Sequence, residues 1–161
     1  MKVRQPMTES VRNEIKLHIK KGLDISNLIE PYTLKNEVLT GAIIKSLNRV
    51  QEDLTNCNLF RAVIGEEGSG KIINLSGCKL VGVNFSYARF VNKVWLRGAD
   101  LRNSNFNCAW IPDVDFQYAD LRNISLCETV IKIGSKSGLH AKMNWKLFKD
   151  LAQYLEVDME Q

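Results

Sequence analysis

Residues 96–131 read LRGAD-LRNSN-FNCAW-IPDVD-FQYAD-LRNIS-LCETV-I, in which every fifth residue is Leu, Phe or Ile. The same spacing runs upstream from Leu75 to Phe90, and one extra residue lies between Phe90 and Leu96. We call these large apolar residues the centres of the repeat. The residues two before the centres are small or β-branched, and they are Ile73, Cys78, Val83, Ala88, Val94, Ala99, Ser104, Ala109, Val114, Ala119, Ile124 and Thr129.

A period of five residues matches neither an α-helix nor a flat β-strand, whose side chains repeat every 3.6 and every two residues. It favours a chain that turns a corner every five residues and coils into a narrow, four-sided tube. On each side the centre and the residue two before it would point inward, and the other three would face water. A large centre then needs a small inward neighbour, as observed. The repeat therefore predicts an all-β solenoid.

Three five-residue repeats of this stretch share a more specific motif, a small residue, then Asp or Asn, then Leu or Phe. They are Ala99-Asp100-Leu101-Arg102-Asn103, Ser104-Asn105-Phe106-Asn107-Cys108 and Ala119-Asp120-Leu121-Arg122-Asn123. The chain resembles the pentapeptide-repeat family, clearly from Ile73 to Ile133 and in degenerate form from Tyr32 to Ile64. That resemblance implies a right-handed quadrilateral β-helix with four repeats per coil, and about four coils here. Residues 32–51 fit either a degenerate first coil or a helix, and we favour the coil.

Four repeats per coil would stack residues about twenty apart at the strand spacing of roughly 4.8 Å. Counting back from the clear repeats, Leu54 would lie beneath Leu75, and Cys57 and Cys78 would share one inward column as space-filling thiols. The expected faces are, in order, Leu54, Leu75, Leu96 and Phe116; Leu59, Leu80, Leu101 and Leu121; Ile64, Phe85, Phe106 and Leu126; and Phe90, Ile111 and Ile131. We call the side with Phe90, Ile111 and Ile131 the fourth face.

The repeats divide the chain into a helical segment at 1–31, a solenoid at 32–133 and a linker with a helix at 134–161. The first segment should contain an amphipathic helix from Thr8 to Lys21, with Thr8 or Ser10 as its cap. The last should place Met143, Leu147, Phe148, Leu151 and Leu155 on one helical face. Both helices are expected to cap the open ends of the solenoid, and the family resemblance also implies dimerisation at the C-terminal end.

Residues 65–71 interrupt the repeat with the sequence Gly-Glu-Glu-Gly-Ser-Gly-Lys. They match G-x-x-x-x-G-K, but Ile72 follows where a phosphate-binding loop has Ser or Thr, and no helix is expected next. We interpret this stretch as a loop insertion that replaces one repeat on the fourth face and adds a residue.

Apolar residues at outward positions mark a possible interaction surface on and beside the fourth face. They are Val91, Trp95, Trp110, Pro112, Val130 and Ile133. An apolar outer face predicts a cover. A terminal helix of the same chain, a partner protein and a second copy all remain open as that cover.

The net charge of +4 lies entirely in residues 1–51, which carry nine Lys or Arg and five Asp or Glu. A possible basic contact for nucleic acid consists of Arg12, Lys16, Lys20 and Lys21, although such a run is more often the solvated side of a helix. The family includes gyrase-protecting mimics of DNA, but the solenoid segment is charge-balanced. Imitation of a polyanion requires excess negative potential.

The composition points to a single non-enzymatic domain. No stretch is long enough to span a membrane, and the first residues lack the apolar core of a secretory signal, so the expected location is cytoplasmic. No catalytic, cofactor-binding or metal site is expected, because a filled tube offers no cleft. We expect a protein-interaction or scaffold module, with a nucleic-acid-associated protein or gyrase modulator as the alternative.

Overall fold

A computed structural model describes residues 4–49 and 51–133. It contains two helices, α1 (Glu9–Lys20) and α2 (Ser26–Ile29). Seven short strands follow, and all of them join one parallel sheet. They are β1 (Ile43–Ile44), β2 (Val63–Ile64), β3 (Ile73–Asn74), β4 (Arg89–Phe90), β5 (Val94–Trp95), β6 (Trp110–Asp115) and β7 (Val130–Ile133).

The centres of the repeat form the core of a four-sided coil. Those from Leu75 to Leu121 are at most 1% exposed, and the small residues two before them are buried beside them. The fourth-face column is fixed by strand pairing, in which Ile44 lies against Ile64, Ile64 against Phe90 and Ile111 against Ile131. The five-residue repeat therefore specifies the core as predicted.

The stacking of the first coils on the later ones differs from the prediction. Each centre before the loop lies one face further along than expected. Asp53 pairs with Lys79, twenty-six residues further on, whereas Asp100 pairs with Asp120 after only twenty. Leu54 therefore stacks with Leu80, and not with Leu75 as expected. The six additional residues lie between Ile64 and Leu75, so the loop at 65–71 is inserted at a corner and replaces no repeat.

The corrected register also separates two cysteines that were expected in one column. Asn58 pairs with Asn84, which places Cys57 in line with Val83, while Lys79 pairs with Asp100 and places Cys78 in line with Ala99. Both thiols are buried and free. Each fills space in its own column, as small inward residues do elsewhere in the coil.

The corner of each repeat is a tight turn that explains the family motif. At Leu54 the carbonyl oxygen accepts a hydrogen bond from the Cys57 amide, 3.0 Å away, and the intervening Asn56 has φ of 57°. This is a type II turn, which favours Asn or Gly at its third residue. The Asp or Asn before a centre supports the turn, since Asn105 Oδ1 accepts from the Asn107 amide at 2.9 Å.

Residues 33–49 form a coil and not a helix, in agreement with the interpretation we favoured. Val38 pairs with Asn58 and Ile43 with Val63, at an offset of twenty residues. The repeat is degenerate here because charged residues occupy inward positions. Arg49 takes the place of a centre in line with Leu75, and its side chain is 3% exposed.

These inward charges bind the N-terminal segment to the coil. Arg49 donates to the carbonyl oxygens of Tyr32 and Ile29, at 2.8 and 2.6 Å, and to the carboxylate of Glu52 at 3.1 Å. Arg4 reaches the same Glu52 carboxylate at 2.7 Å. Because every buried charge has an opposite charge or a carbonyl beside it, the irregular column carries no isolated ion.

Helix α1 agrees with its sequence prediction. Thr8 is the N-cap, with Oγ1 accepting from the Val11 amide at 3.3 Å. Ile15 is buried in the same core as the coil, together with Met7, Ile25 and Ile29 from the surrounding segment. The predicted C-terminal helix and its apolar face at Met143, Leu147, Phe148, Leu151 and Leu155 lie outside the described residues.

Candidate interaction surface

An outward column runs the full height of the fourth face. Strand pairing links its members in sequence, Ile43 to Val63, Val63 to Arg89, Arg89 to Trp110 and Trp110 to Val130. Four of the five are apolar, and all lie at the position immediately before a centre. We call this column the ridge.

Sequence reasoning found Trp110 and Val130 but missed Ile43 and Val63. Both missed residues are half-buried and precede centres of the fourth face. The error followed from the register, because the shorter expected coil assigned Ile64 to the third face. Only the pairing of Ile64 with Phe90 places the lower half of the ridge.

The upper half of the ridge is the more exposed. Val130 is 59% exposed and Trp110 is 39% exposed. The guanidinium carbon of Arg89 lies 5.4 Å from the centre of the Trp110 ring, within the range of a cation–π contact. Arg89 makes no ion pair with any residue that the structure describes. A guanidinium stacked against an aromatic ring thus occupies the middle of this apolar surface.

The other predicted surface residues are Val91, Pro112, Trp95 and Ile133, and they do not all lie on the fourth face. Val91 and Pro112 are half-buried and directly follow the fourth-face centres Phe90 and Ile111. Trp95 lies on the neighbouring first face, where Arg97 sits 5.3 Å from its ring centre. The side chain of Ile133 is outside the described part of the structure. Trp95 therefore does not belong to the ridge.

The inserted loop rises from the corner between the fourth and first faces. Asn92, in the single-residue bulge of the next coil, holds the base of the loop: its Oδ1 accepts from the Glu66 amide at 2.8 Å, and its Nδ2 donates to the Glu66 carbonyl at 3.2 Å. Lys45 reaches the Glu66 carboxylate at 3.4 Å. The two irregularities of the repeat are therefore one structural unit.

The loop lacks the geometry of a phosphate-binding loop. Strand β3 begins at Ile73, so the chain returns to the coil where a phosphate-binding loop would begin a helix. Glu66 and Glu67 add negative charge to the loop. The loop insertion is the better interpretation.

The four predicted basic residues do not form one free cluster. Arg12 donates to both carboxylate oxygens of Glu37, at 2.9 and 2.7 Å, and this contact raises the pKa of Arg12. Lys16 lies 3.8 Å from Glu9. Lys20 and Lys21 are exposed at the end of α1. Arg12 therefore acts within the fold, and three lysines remain on the surface.

A second aromatic cluster was not predicted. Phe60 and Tyr87 meet edge to face with ring centres 5.5 Å apart, and the Arg61 guanidinium lies 5.0 Å from the Phe60 ring. Tyr87 is 53% exposed. Phe60 and Tyr87 occupy successive turn positions in different coils, so the contact depends on the register and no local signal in the sequence indicates it.

Two cavities in the described part of the chain lie beside the N-terminal segment. One of about 200 Å³ separates α1 from the first coil and is lined by Met7, Ile15 and Leu39. Another of about 300 Å³ is polar and is lined by Arg4, Ser26 and Asn48. Across residues 4–49 and 51–133 no cluster of three or more His, Cys, Asp or Glu side chains has the arrangement of a metal site.

No family model and no curated protein sequence matches the chain. Among solved structures, it is similar to a pentapeptide repeat protein from the thylakoid lumen of Arabidopsis thaliana, with 16% identity and a TM-score of 0.41 over 81% of this chain and 76% of that chain. It is also similar to a pentapeptide repeat protein of Nostoc PCC 7120, with 14% identity and a TM-score of 0.36 over 88% of this chain and 99% of that one.

The chain resembles pentapeptide repeat proteins. A third similar structure, the pentapeptide repeat protein Rfr23 of the cyanobacterium Cyanothece 51142, has 15% identity and a TM-score of 0.24 over 67% of this chain and 88% of that chain. Within the described residues, no helix has the length and apolar character needed to cross a membrane.

Proposed function

We propose that this chain is a non-enzymatic interaction or scaffold module that binds a protein partner through the ridge of the fourth face. The observation that carries the proposal is the outward column itself, in which four apolar residues occupy a repeat position that is polar in most repeats of the other faces. On the third face that position holds Val38 in the first coil and then Asn58, Asn84, Asn105 and Ser125. Water-facing apolar residues aligned over several coils are typical of a binding surface.

The composition of the ridge indicates the chemistry of its partner. Tryptophan and arginine are over-represented among residues that dominate binding energy, especially near the centre of an interface. Trp110 and Arg89 are in contact there, with Val130 and Val63 on either side. Arg89 has a cation to offer to a carboxylate. We therefore expect a partner surface that combines apolar side chains with an Asp or Glu opposite Arg89.

Two exposed valines provide a matched test of this surface. Val130 precedes a centre of the fourth face, and Val38 precedes a centre of the third face and is 65% exposed. Val130→Asp should abolish partner binding, because it places a carboxylate in the apolar contact, whereas Val38→Asp should leave binding unchanged. The measurement is cross-linked affinity capture from the native host, with each captured protein then titrated against the purified variants.

A second copy of the chain is a separate outcome of the same variants. Sedimentation over a concentration series would show self-association that Val130→Asp removes and Val38→Asp retains. The proposal fails if no captured protein loses affinity for Val130→Asp and the wild-type chain sediments as a monomer throughout. Equal loss with both valine variants would also contradict it.

A nucleic-acid-associated function is the competing proposal, supported by the surface lysines Lys16, Lys20 and Lys21. Binding of this kind weakens with added salt because phosphate contacts release counterions. Replacing the three lysines with glutamine should then abolish low-salt retention on a nucleic-acid column. If the wild-type chain is not retained at low salt, this alternative is removed.

A further inference from the structure

A ladder of stacked turn residues runs along the corner between the third and fourth faces. Its members are Arg61, Tyr87, Cys108 and Glu128, which have φ values of 55°, 57°, 57° and 55° in successive coils. The first three amides bond to the coil above: Arg61 N–H donates to Ser86 O at 3.1 Å, Tyr87 N–H to Asn107 O at 2.9 Å and Cys108 N–H to Cys127 O at 2.8 Å. The last of these bonds joins two cysteines.

Cys108 and Cys127 lie on adjacent coils and are joined by this backbone hydrogen bond. An amide-to-carbonyl hydrogen bond of 2.8 Å places the α-carbons of its two residues roughly 5–6 Å apart, and disulfides span about 4.4–6.8 Å. The Cys108 Sγ lies 3.6 Å from a carboxylate oxygen of Glu128, the residue next to Cys127. The thiol of Cys108 thus points at the residue beside Cys127, in the last coil that the structure describes, which we call the final coil.

The two thiols are also the accessible ones of the four. Cys127 is exposed and Cys108 is half-buried, whereas Cys57 and Cys78 are buried. Burial raises the pKa of Cys57 to about 12 and that of Cys78 to about 11, so neither forms the reactive thiolate readily. Cys78 in addition donates to the Arg49 carbonyl. Oxidation should therefore select the outer pair.

We propose that Cys108 and Cys127 form a reversible intramolecular disulfide that links the final coil to the coil before it. With a small-molecule disulfide as oxidant, the exposed Cys127 thiolate attacks one of its sulfurs and releases one thiolate. The Cys108 thiolate then attacks the Cys127 sulfur and releases the second. Each cysteine loses one proton, the two cysteine sulfurs are oxidised, and the reagent is reduced to two thiols.

A disulfide would restrain the final coil more than any other coil, because the core residues of the final coil are the least buried. Its residues Ile124 and Leu126 are half-buried, while the equivalent Ser104 and Phe106 of the coil before are 1% exposed. Val130 of the ridge belongs to this same final coil. A covalent bond at the corner therefore restrains the least buried part of the described core together with one end of the ridge.

The test uses the full chain, incubated with excess oxidised glutathione, denatured, alkylated and mapped by mass spectrometry. The expected product lacks two hydrogen atoms, protects Cys108 and Cys127 from alkylation, leaves Cys57 and Cys78 alkylated, and returns to the starting mass with dithiothreitol. Cys108→Ser and Cys127→Ser should each yield a single glutathione adduct on the remaining outer cysteine. Circular dichroism of both variants checks that they fold.

Separate glutathione adducts on Cys108 and Cys127 of the wild-type chain would overturn the proposal, as would free thiols at both positions or a bond to Cys57 or Cys78. An intermolecular Cys127 disulfide as the main product would overturn it as well. Hydrogen exchange supplies a second readout, in which amides of residues 126–131 should exchange more slowly in the oxidised protein than in the reduced one. Equal exchange rates would show that the bond does not restrain the final coil.

Discussion

At the scale of single residues, an Asp at the position before a centre has two roles. Asp120 Oδ1 accepts from the Arg122 amide at 3.3 Å and so supports the turn, as Asn does in other repeats. Its carboxylate also binds the Arg122 guanidinium at 2.8 and 2.6 Å. Asn can accept the amide hydrogen bond, but it cannot form the ion pair. The repeat tolerates both residues because the turn needs only an acceptor oxygen.

The ion pair between Asp120 and Arg122 should make the stability of the fold depend on pH. The hydrogen bond from Arg122 lowers the pKa of Asp120 in the folded state, so this carboxylate stabilises the fold above its unfolded pKa of about 4 and stops doing so as pH falls through the folded value. Asp120→Asn keeps the turn and loses the charge. The stability difference between wild type and this variant should be small and should shrink below about pH 4 in urea unfolding curves.

Asn105→Ala is the control for that experiment, because it removes a turn acceptor that carries no charge. Its loss of stability should be the same at every pH. A difference for Asp120→Asn that stays constant between about pH 3 and 7 would contradict the assigned role of Arg122.

At the scale of elements, the inserted loop depends on one glycine. Gly65 has φ of 101°, and a Cβ at this position would lie 2.3 Å from Asn92 Oδ1 and 2.8 Å from Val91 Cγ2. A side chain there would displace the amide that holds the loop. Gly68, in the same loop, has φ of 71° and open space around it. The two glycines therefore separate backbone strain from close packing.

Gly65→Ala should lower the free energy of unfolding by about 2 kcal/mol or more, through strain and the clash with Asn92. Gly68→Ala should cost only about 1 kcal/mol, because it meets strain alone. Thermal unfolding with calorimetry measures both. Equal losses would mean that the Asn92 contact does not restrain the loop base.

At the scale of the whole molecule, charged residues inside the first coil join the N-terminal segment to the solenoid. Arg49 occupies a place that an apolar centre fills in later coils, and its guanidinium reaches carbonyl groups of Ile29 and Tyr32. Burial lowers the pKa of Arg49, while its hydrogen bond to Glu52 opposes that change. The side chain thus fills the column and holds the segment at once.

These two contributions can be separated by substitution. Arg49→Ala loses both and should destabilise the protein by about 3 kcal/mol or more, the usual cost of breaking a buried ion pair. Arg49→Leu refills the column beneath Leu75 and should cost clearly less. Urea unfolding measures the difference, and an Arg49→Leu variant as unstable as Arg49→Ala would show that the column there does not need filling.

The sequence predicted the core well because each five-residue repeat contains its own turn. The pairing of a large centre with a small inward neighbour is local, and so is the Asn or Asp that supports the turn. The stacking register between coils could not be predicted in this way, because it is not local. Whether residues 65–71 replace a repeat or add to one depends on which strand Ile64 meets, and Phe90 is twenty-six residues away. Ile is acceptable in either column.

The same distance explains what was missed at the candidate surface. Ile43 and Val63 join the ridge only through strand pairing, and the partners of Glu37 and Arg49 are distant in sequence. Glu37 and Glu52 lie two residues before Leu39 and Leu54, at inward positions of the five-residue period. The period carries no information on which arginine meets them. Non-local contacts are therefore where this repeat ceases to be informative.

The corner insertion has a practical consequence for engineering. Six additional residues leave the coil between Ile64 and Leu75 without disturbing the columns on either side, because strands β2 and β3 each keep their own pairing. The solenoid thus contains a natural attachment point at Glu67–Ser69. A reporter epitope or a fluorophore-labelled peptide grafted there would be displayed at the corner between the first face and the face that carries the ridge.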